Sequence, residues 1–384
     1  MNVKAHISPQ IIAAIALFVA LALCPLLASS APATHEATYN YYVASTGSDA
    51  NPGTAQLPFQ TIMRAARIAL PGTTVHVAPG VYTGGFKTSI SGIETQRIYY
   101  VSSVHRRARL VPPMSSETKS AWDNRGSYVD IIGFDVDGRA ARNGVKWTHG
   151  IYSGGSHTAI KDNYIHHIAQ NIPCGNSSGA GIGVDSYYRG IRSDVIGNTV
   201  HDIGPAGCRF VSGIHISTSG SAVNNVVYNI GGAGILMWHD AHDVKVTNNT
   251  ITGSTTGVLV GGGDYYHTRG PNNNTRVHNN IIYDNKYGVW EQGETGINNT
   301  YRNNLVFHNA VADWQLRNGL AHTGTVAQEP QFVRYARKGQ SDFRLRGNSP
   351  AIGAGTAEHA SAADVAGKLR SKGTEIDLGA YQFK

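Results

Sequence analysis

The chain has 384 residues, and a hydrophobic fraction of 41% gives it enough apolar material for a sizeable core and excludes a disordered chain. Charged residues make up only 15% and glycines number 45, a balance that argues against long amphipathic helices and favours short strands with tight turns. The net charge of +7 comes without a Lys/Arg-rich tail, so it favours an acidic surface or acidic polymer over nucleic acid as a partner.

Residues 1–33 have the pattern of an export signal. Lys4 is followed by the apolar run IIAAIALFVALALCPLLA and then by residues 31–33, which fit an A-x-A cleavage site. A retained membrane anchor is the alternative, because the run is near the lower limit for spanning a bilayer. The small residues after the run and the polar THEATYN favour cleavage. We therefore expect a secreted or periplasmic protein, residues 34–384, without a stable membrane span.

Residues 58–70, PFQTIMRAARIAL, are predicted to form a short amphipathic helix. Its apolar face carries Ile62, Ala65, Ala66 and Ala69. A helix here would cap the open edge of a repeat structure, and the segments that follow indicate such a structure.

A recurring asparagine marks the repeats. The segments IKDNYI, VIGNTV, VNNVVY, VTNNTI, VHNNII and RNNLVF place Asn163, Asn198, Asn225, Asn249, Asn280 and Asn304 at intervals of 24–35 residues. Strands of only a few residues at such intervals indicate a solenoid, and the variable spacing favours a parallel β-helix over leucine-rich or helical repeats. Because coils stack about 4.8 Å apart, we expect the amides to form a buried hydrogen-bonded ladder. We also expect Asn to tolerate the left-handed backbone of the bend.

A second strand in each repeat begins with glycine followed by Ile or Val. The glycines are Gly150, Gly181, Gly213, Gly234, Gly257 and Gly288. Alternation turns the aliphatic residues inward and the residues between them outward. The first predicted outward row is Tyr152, Gly183, His215, Leu236, Leu259, Trp290 and Gln315, and the second is Asp185, Ser217, Trp238, Gly261, Gln292 and Arg317.

Both ends of the mature chain resemble a known family. YYVASTGSDANPGTAQLPFQTIMRAARIALPGTTVHVAPGVY, residues 41–82, and the C-terminal SPAIGAG, DVAGKLR and IDLGAYQF are similar to segments of exported proteins of the pectate-lyase-like superfamily. The resemblance implies an all-β fold, a right-handed parallel β-helix solenoid with a short N-terminal capping helix. We expect one domain, with an N-terminal cap at about 40–82, coils at about 83–320 and a capping segment over the last coil at about 321–384.

The two cysteines of the mature chain are predicted to form a disulfide. Cys174 and Cys208 lie in long insertions at comparable places in adjacent coils, and an exported chain favours a disulfide over a metal site. Closing a loop of 34 residues is worth roughly 3–4 kcal/mol from chain entropy.

The outward rows predict a sugar-binding groove. Tyr152, Trp238 and Trp290 offer aromatic faces for sugar rings, and Arg209 and Arg317 offer positive charge for an acidic polysaccharide. Nucleotide binding is excluded, since no helix follows the glycine-rich GGGDYYHTRG to hold a phosphate. His166, His167 and His201 are interpreted as exposed loop residues.

Elimination at a uronate is the first choice of chemistry. His215 or His239 would be the base, and Arg209, Arg317 or a Ca²⁺ ion held near Asp185 and Asp240 would neutralise the substrate carboxylate. The resemblance implies a dense aspartate cluster for calcium-dependent lyases and an Asp-Pro-His-Asp motif for epimerases. WHDAHDVK matches both imperfectly, because it has fewer aspartates and an alanine in place of the proline.

Two other functions stay open at this point. A hydrolase would place Asp185 and Asp240 on either side of the bond, about 9–10 Å apart in coils two removed, with Glu291 as a further candidate acid. A non-catalytic carbohydrate-binding or surface protein is the alternative outside the enzymes, because proteins of this fold include both.

Overall fold

A computed structural model describes residues 39–116, 118–139, 143–175, 178–337, 339–370 and 376–383. The predicted export signal at 1–33 lies outside these residues. No helix within the described ranges is long and apolar enough to cross a membrane.

The described chain contains one helix, α1 (Ile62–Ile68), and many short strands. The strands are β1 (Tyr39–Val43), β2 (Thr73–Val77), β3 (Gly80–Thr83), β4 (Phe86–Thr88), β5 (Ile98–Ser102), β6 (Ala108–Val111), β7 (Ser120–Asn124), β8 (Val129–Ile132), β9 (Asp135–Asp137), β10 (His149–Ser153), β11 (Ala159–Lys161), β12 (Tyr164–His166), β13 (Gly179–Val184), β14 (Ser193–Ile196), β15 (Thr199–Ile203), β16 (Val211–Ile216), β17 (Gly220–Val223), β18 (Val226–Ile230), β19 (Ala233–Met237), β20 (Val244–Thr247), β21 (Thr250–Thr252), β22 (Thr256–Gly262), β23 (Arg276–His278), β24 (Ile281–Tyr283), β25 (Tyr287–Gly293), β26 (Thr300–Arg302), β27 (Leu305–Phe307), β28 (Ala312–Gln315), β29 (His322–Thr323), β30 (Phe332–Arg334) and β31 (Asp342–Leu345).

These strands form three parallel sheets that wind as a β-helix. Sheet A has the order β1-β2-β5-β8-β11-β14-β17-β20-β23-β26-β29. Sheet B contains every third strand from β3 to β27, and sheet C contains every third strand from β4 to β28. From β2 onward each coil therefore gives one strand to each sheet. Only β30 and β31, beyond the coils, pair antiparallel among the described strands.

The predicted asparagine ladder is present at the corner between sheets A and B. All six amides are buried, and each Nδ2 except that of the last, Asn304, donates to Oδ1 of the next asparagine at 2.9–3.0 Å. The left-handed backbone, however, belongs to the residue before each ladder amide, as at Asn248 with φ 55°. That residue is an asparagine at four of the six bends, so the expectation that asparagine tolerates this backbone is confirmed, although at the neighbours of the ladder amides.

Close approach of successive coils explains the repeated glycines at the start of the sheet C strands. A Cβ atom on any of the six would lie 2.3–2.8 Å from a backbone oxygen of the next coil and equally close to an inward aliphatic side chain of sheet B. Asp313 takes the equivalent place in β28 without a glycine. This strand is last in the sheet, so no further coil crowds it.

Helix α1 is shorter than the predicted 58–70 segment. Thr61 begins it by accepting a hydrogen bond from the Arg64 backbone N–H at 3.1 Å, an ordinary N-cap. Ile62, Ala65 and Ala66 are buried on the face that packs against β1, β2 and β4.

The C-terminal segment runs back along the side of the coils. Asn303 donates to the Ala354 carbonyl, Asn279 to Thr356 and Asn224 to Ala363, at 2.6–3.0 Å. Its apolar residues cover the outer face of sheet B, where Phe332, Phe343 and Leu378 pack with Val226, Ile281 and Leu305. The expectation that this segment covers the last coil is therefore corrected, since its contacts extend over several coils.

Candidate active site

The outer face of sheet C carries the first predicted row in register. Parallel pairing aligns Tyr152 with Gly183, then His215, Leu236, Leu259, Trp290 and Gln315 on successive strands. Asp123 on β7 extends the row by one strand, since it pairs with Tyr152. We call these eight residues the sheet C row.

Tyr152 and Asp185 adjoin each other at one end of this row. The Tyr152 hydroxyl interacts with the Asp185 carboxylate, which accepts a hydrogen bond from the Tyr187 backbone N–H at 2.8 Å. Burial raises the pKa of Asp185 despite these hydrogen bonds, and burial together with the neighbouring carboxylate raises the pKa of Tyr152 well above its ordinary value. The Tyr152 hydroxyl therefore stays protonated at neutral pH.

Arg125 supplies a fixed positive charge beside this pair. Its Nε lies 2.6 Å from Oδ1 of Asp123, and its guanidinium sits 4.7 Å from the ring centroid of Tyr152 and 3.5 Å from that of Tyr188. Neither Asp123 nor Arg125 was among the residues predicted from the sequence. Aligning AWDNRGS with GIYSGGS would have placed Asp123 ahead of Tyr152 in the outward row.

Two histidines of this face are uncharged at neutral pH. Burial and the nearby His239 lower the pKa of His215 to about 3, and burial lowers that of His149 to about 4. Nε2 of His215 lies 3.2 Å from Oγ of Ser217 at the end of β16. A neutral imidazole has a free lone pair, so His215 can accept a proton.

His239, the other predicted base, is held by a loop. Its Nδ1 lies 2.8 Å from the Asp264 carbonyl oxygen, and its Nε2 lies 2.9 Å from the Tyr266 hydroxyl, over whose ring it stacks. The carbonyl can only accept, so Nδ1 carries the proton and Nε2 accepts from Tyr266. His239 thus adjoins His215, with ring centroids 5.8 Å apart, but its lone pair is occupied.

Asp240 does not face the groove as a free carboxylate. It is buried, and its two oxygens accept hydrogen bonds from the hydroxyls of Ser186 and Thr268 and from the backbone N–H groups of residues 266–268, at 2.8–3.2 Å. Burial raises its pKa, but these hydrogen bonds outweigh burial and lower it overall. Asp240 therefore anchors a loop, and these hydrogen bonds do not favour its predicted role as a catalytic acid or calcium ligand.

The predicted calcium site does not fit the residues present. Ca²⁺ takes six to eight oxygen ligands, and with Asp240 saturated only Asp185 of the expected pair remains. Among the described residues the one His/Asp group close enough to hold a metal ion is Asp137, His166 and His167, on sheet B.

Trp238 and Trp290 lie farther along the same face. The Trp238 ring covers Gly261 and Gly293, where a Cβ atom would lie 2.4 and 2.8 Å from it. Trp290 packs on Tyr287 at 4.4 Å and lines a cavity of about 460 Å³ with Gln292, Gln315 and Arg317, among other residues. The exposed Arg317 thus lies with Trp290 beside one polar and aromatic cavity.

The structure separates two other candidates from this site. Arg209 precedes β16, at the opposite end of that strand from His215, with its guanidinium 4.5 Å from the Phe210 ring. Glu291 turns inward and is buried, where it accepts from Tyr301 at 2.6 Å and from the Arg317 backbone N–H at 2.7 Å.

Cys174 and Cys208 form the predicted disulfide, which joins the two insertions. His166 and His201 are buried on the outer face of sheet B, in β12 and β15, and His167 is half-buried in the next turn. The interpretation as exposed loop residues is therefore wrong for His166 and His201, whereas His167 does lie in a turn.

Residues 125–327, more than half of the chain, match the family model described as a right-handed beta helix region, and the chain belongs to this family. Residues 45–88 match a second model, described only as a protein of unknown function. The uncharacterized protein YwoF of Bacillus subtilis (strain 168) is 32% identical over 154 residues, which are 38% of this chain and 33% of that protein. The chain thus matches about a third of the length of this curated relative.

Solved structures show the same fold at low identity. Pectate lyase Pel9A has a TM-score of 0.63 with 18% identity, over 90% of this chain and 96% of that one. A glycoside hydrolase gives 0.53 with 9% identity, over 71% and 89%. XylC in complex with xylose gives 0.50 with 16% identity, over 70% and 65%. At these identities the likeness establishes that the fold is a right-handed β-helix. The reaction must be inferred from the residues of the site.

Proposed function

We propose that this protein is a polysaccharide-active enzyme, and that it is a lyase cleaving an acidic, uronate-containing polymer by β-elimination on the outer face of sheet C. The observation that carries the proposal is the placement of a proton acceptor and a proton donor on either side of Gly183. His215 and Tyr152 lie two strands apart in register, about 9–10 Å, and the glycine between them carries no side chain that would separate them.

In this reaction His215 takes the proton from the carbon beside the uronate carboxylate. The electron pair left behind forms a carbon–carbon double bond, and the bond to the glycosidic oxygen breaks. Tyr152, whose hydroxyl is protonated at neutral pH, protonates the leaving oxygen. Arg125 faces the same space and opposes the negative charge that builds on the substrate carboxylate.

A glycoside hydrolase is the second candidate. The raised pKa of Asp185 suits a general acid. Inverting hydrolysis also needs a second free carboxylate, and Asp240 and Glu291 are both engaged by protein donors. This difference favours elimination. A protein that only binds polysaccharide is the third candidate, and the cavity beside Trp290 would serve it equally.

We also infer that the chain is exported and that α1 caps the first coil. The disulfide supports export, because such bonds persist in oxidising compartments. The packing of α1 on β1, β2 and β4, the first strands of sheets A and C, supports the capping role.

The test is incubation of the purified protein with polygalacturonate and polymannuronate, followed by ultraviolet absorbance of the unsaturated product. Absorbance that His215→Gln abolishes supports elimination. New reducing ends without absorbance would mean hydrolysis, and retention on the polymer with neither signal would mean binding alone. A parallel assay with a chelator decides whether any activity depends on a divalent ion.

A further inference from the structure

A second group of reactive side chains lies on the outer face of sheet B, away from the sheet C row. Asp137 ends β9, His166 ends β12 and His167 occupies the turn that follows, with φ 56°. One ligand atom from each residue lies within 4.8 Å of the other two.

The distances within the group suit a small metal ion. Nδ1 of His166 lies 2.7 Å from Nδ1 of His167 and 3.6 Å from Oδ1 of Asp137. Ligand atoms about 2.0–2.1 Å from a tetrahedral ion are about 3.3 Å from one another, and the two observed distances lie on either side of this value.

The surroundings fix the proton of His166 on the nitrogen that faces away from the group. Nε2 of His166 lies 3.0 Å from Oδ1 of Asp135, and Arg109 donates to the other oxygen of that carboxylate at 2.6 Å. The carboxylate accepts the Nε2 proton, so the Nδ1 lone pair of His166 points towards His167. A carboxylate behind a histidine in this way is the usual support of a metal ligand.

We propose that Asp137, His166 and His167 bind a divalent first-row transition-metal ion such as Zn²⁺, with water completing the coordination. Two imidazole nitrogens and one carboxylate oxygen favour such an ion over Ca²⁺, which prefers oxygen ligands. Arg139 now pairs with Asp137, but its side chain is 59% exposed, so it can withdraw into solvent when the ion binds. The ion would tie β9 to the turn after β12.

The experiment is equilibrium dialysis of the purified protein against Zn²⁺, with metal analysis of the retentate and Co²⁺ absorption as a probe of imidazole ligation. His167→Ala is the main variant, because this side chain is 33% exposed and its loss leaves the core intact. His308→Ala is the matched control, since His308 occupies the equivalent turn with φ 58° and lies 3.7 Å from Asp284, without a second imidazole in the described surroundings.

We expect one equivalent of Zn²⁺ per chain. Its affinity should fall by at least about 100-fold in His167→Ala, fall by about 10–100-fold in Asp135→Asn and stay unchanged in His308→Ala. Circular dichroism confirms that the variants are folded. The proposal is overturned if the protein retains no stoichiometric Zn²⁺, or if His167→Ala and His308→Ala bind it alike. Neither readout depends on polysaccharide cleavage.

Discussion

Oδ1 of Asn280 accepts two hydrogen bonds from Asn249, one from its side-chain Nδ2 and one from its backbone N–H, each at 2.9 Å. Asn225 makes the same two bonds to Asn249 from the preceding coil. Each ladder amide thus satisfies two buried donors of its neighbour and has its own donors satisfied in turn. The arrangement turns a buried polar group, ordinarily costly, into a link between coils.

Asn249→Ala should therefore destabilise the protein strongly. The substitution leaves the Asn225 backbone N–H without an acceptor, removes one of the two acceptors of Asn225 Nδ2 and removes the donor to the Ala222 carbonyl. At about 1–3 kcal/mol for each unsatisfied buried group, the free energy of unfolding should fall by about 3 kcal/mol or more. Urea denaturation measures it. Asn298→Ala, at an exposed asparagine, is the control and should change stability by less than about 0.5 kcal/mol.

Gly257→Ala should also destabilise, through crowding. Its Cβ would lie 2.4 Å from Cγ2 of Ile282 and 2.8 Å from the Gly288 oxygen, so one coil must shift against the next. We expect a loss of about 1–3 kcal/mol in urea denaturation. Gly270→Ala is the matched control, since nothing lies within 4 Å of its Cβ position. Equal stability of the two variants would contradict this account of the glycine row.

The parts of the fold that recur could be predicted from the sequence. A ladder amide and a crowded glycine are required once per coil. The roles of Asn249 and Gly257 could therefore be predicted from their counterparts in other coils. The same periodicity also predicts the location of two histidines. His166 and His201 each lie three residues after a ladder asparagine, which places both on the outer face of sheet B.

The role of Asp240 could not be predicted in this way. Its partners lie in the loop at 266–268, which occurs once and has no counterpart in other coils. HDAHD offers a carboxylate beside two histidines, and the sequence alone does not show that its lone pairs are already taken. The course of the C-terminal segment could not be predicted for the same reason, because the segment that contacts Asn224 and Asn279 occurs once and has no counterpart in the coils.

His215 and Asp240 should separate catalysis from stability. If the proposed elimination holds, His215→Gln should lower kcat by at least about 100-fold with unfolding free energy nearly unchanged, because the lost group is the proton acceptor. Asp240→Ala should lower the unfolding free energy by about 2–4 kcal/mol, because it removes the acceptor of the hydrogen bonds from Ser186 and the 266–268 loop. Kinetics and denaturation of both variants check this. If the Asp240→Ala protein were stable but inactive, Asp240 would instead be a catalytic group.

Acid should destabilise the protein through its buried neutral histidines, and His278 provides a test remote from the proposed site. Burial lowers the pKa of His278 to about 4, whereas an unfolded histidine titrates near 6.5. Between these values the unfolded chain binds the proton and the folded protein does not, so the free energy of unfolding falls as the pH falls from about 6.5 to about 4. Urea denaturation of His278→Gln at pH 7, 6 and 5 should show a shallower decline than the native protein. His308→Gln, which removes an exposed imidazole, should keep the native slope. Parallel declines in all three proteins would mean that His278 titrates alike in the folded and unfolded states.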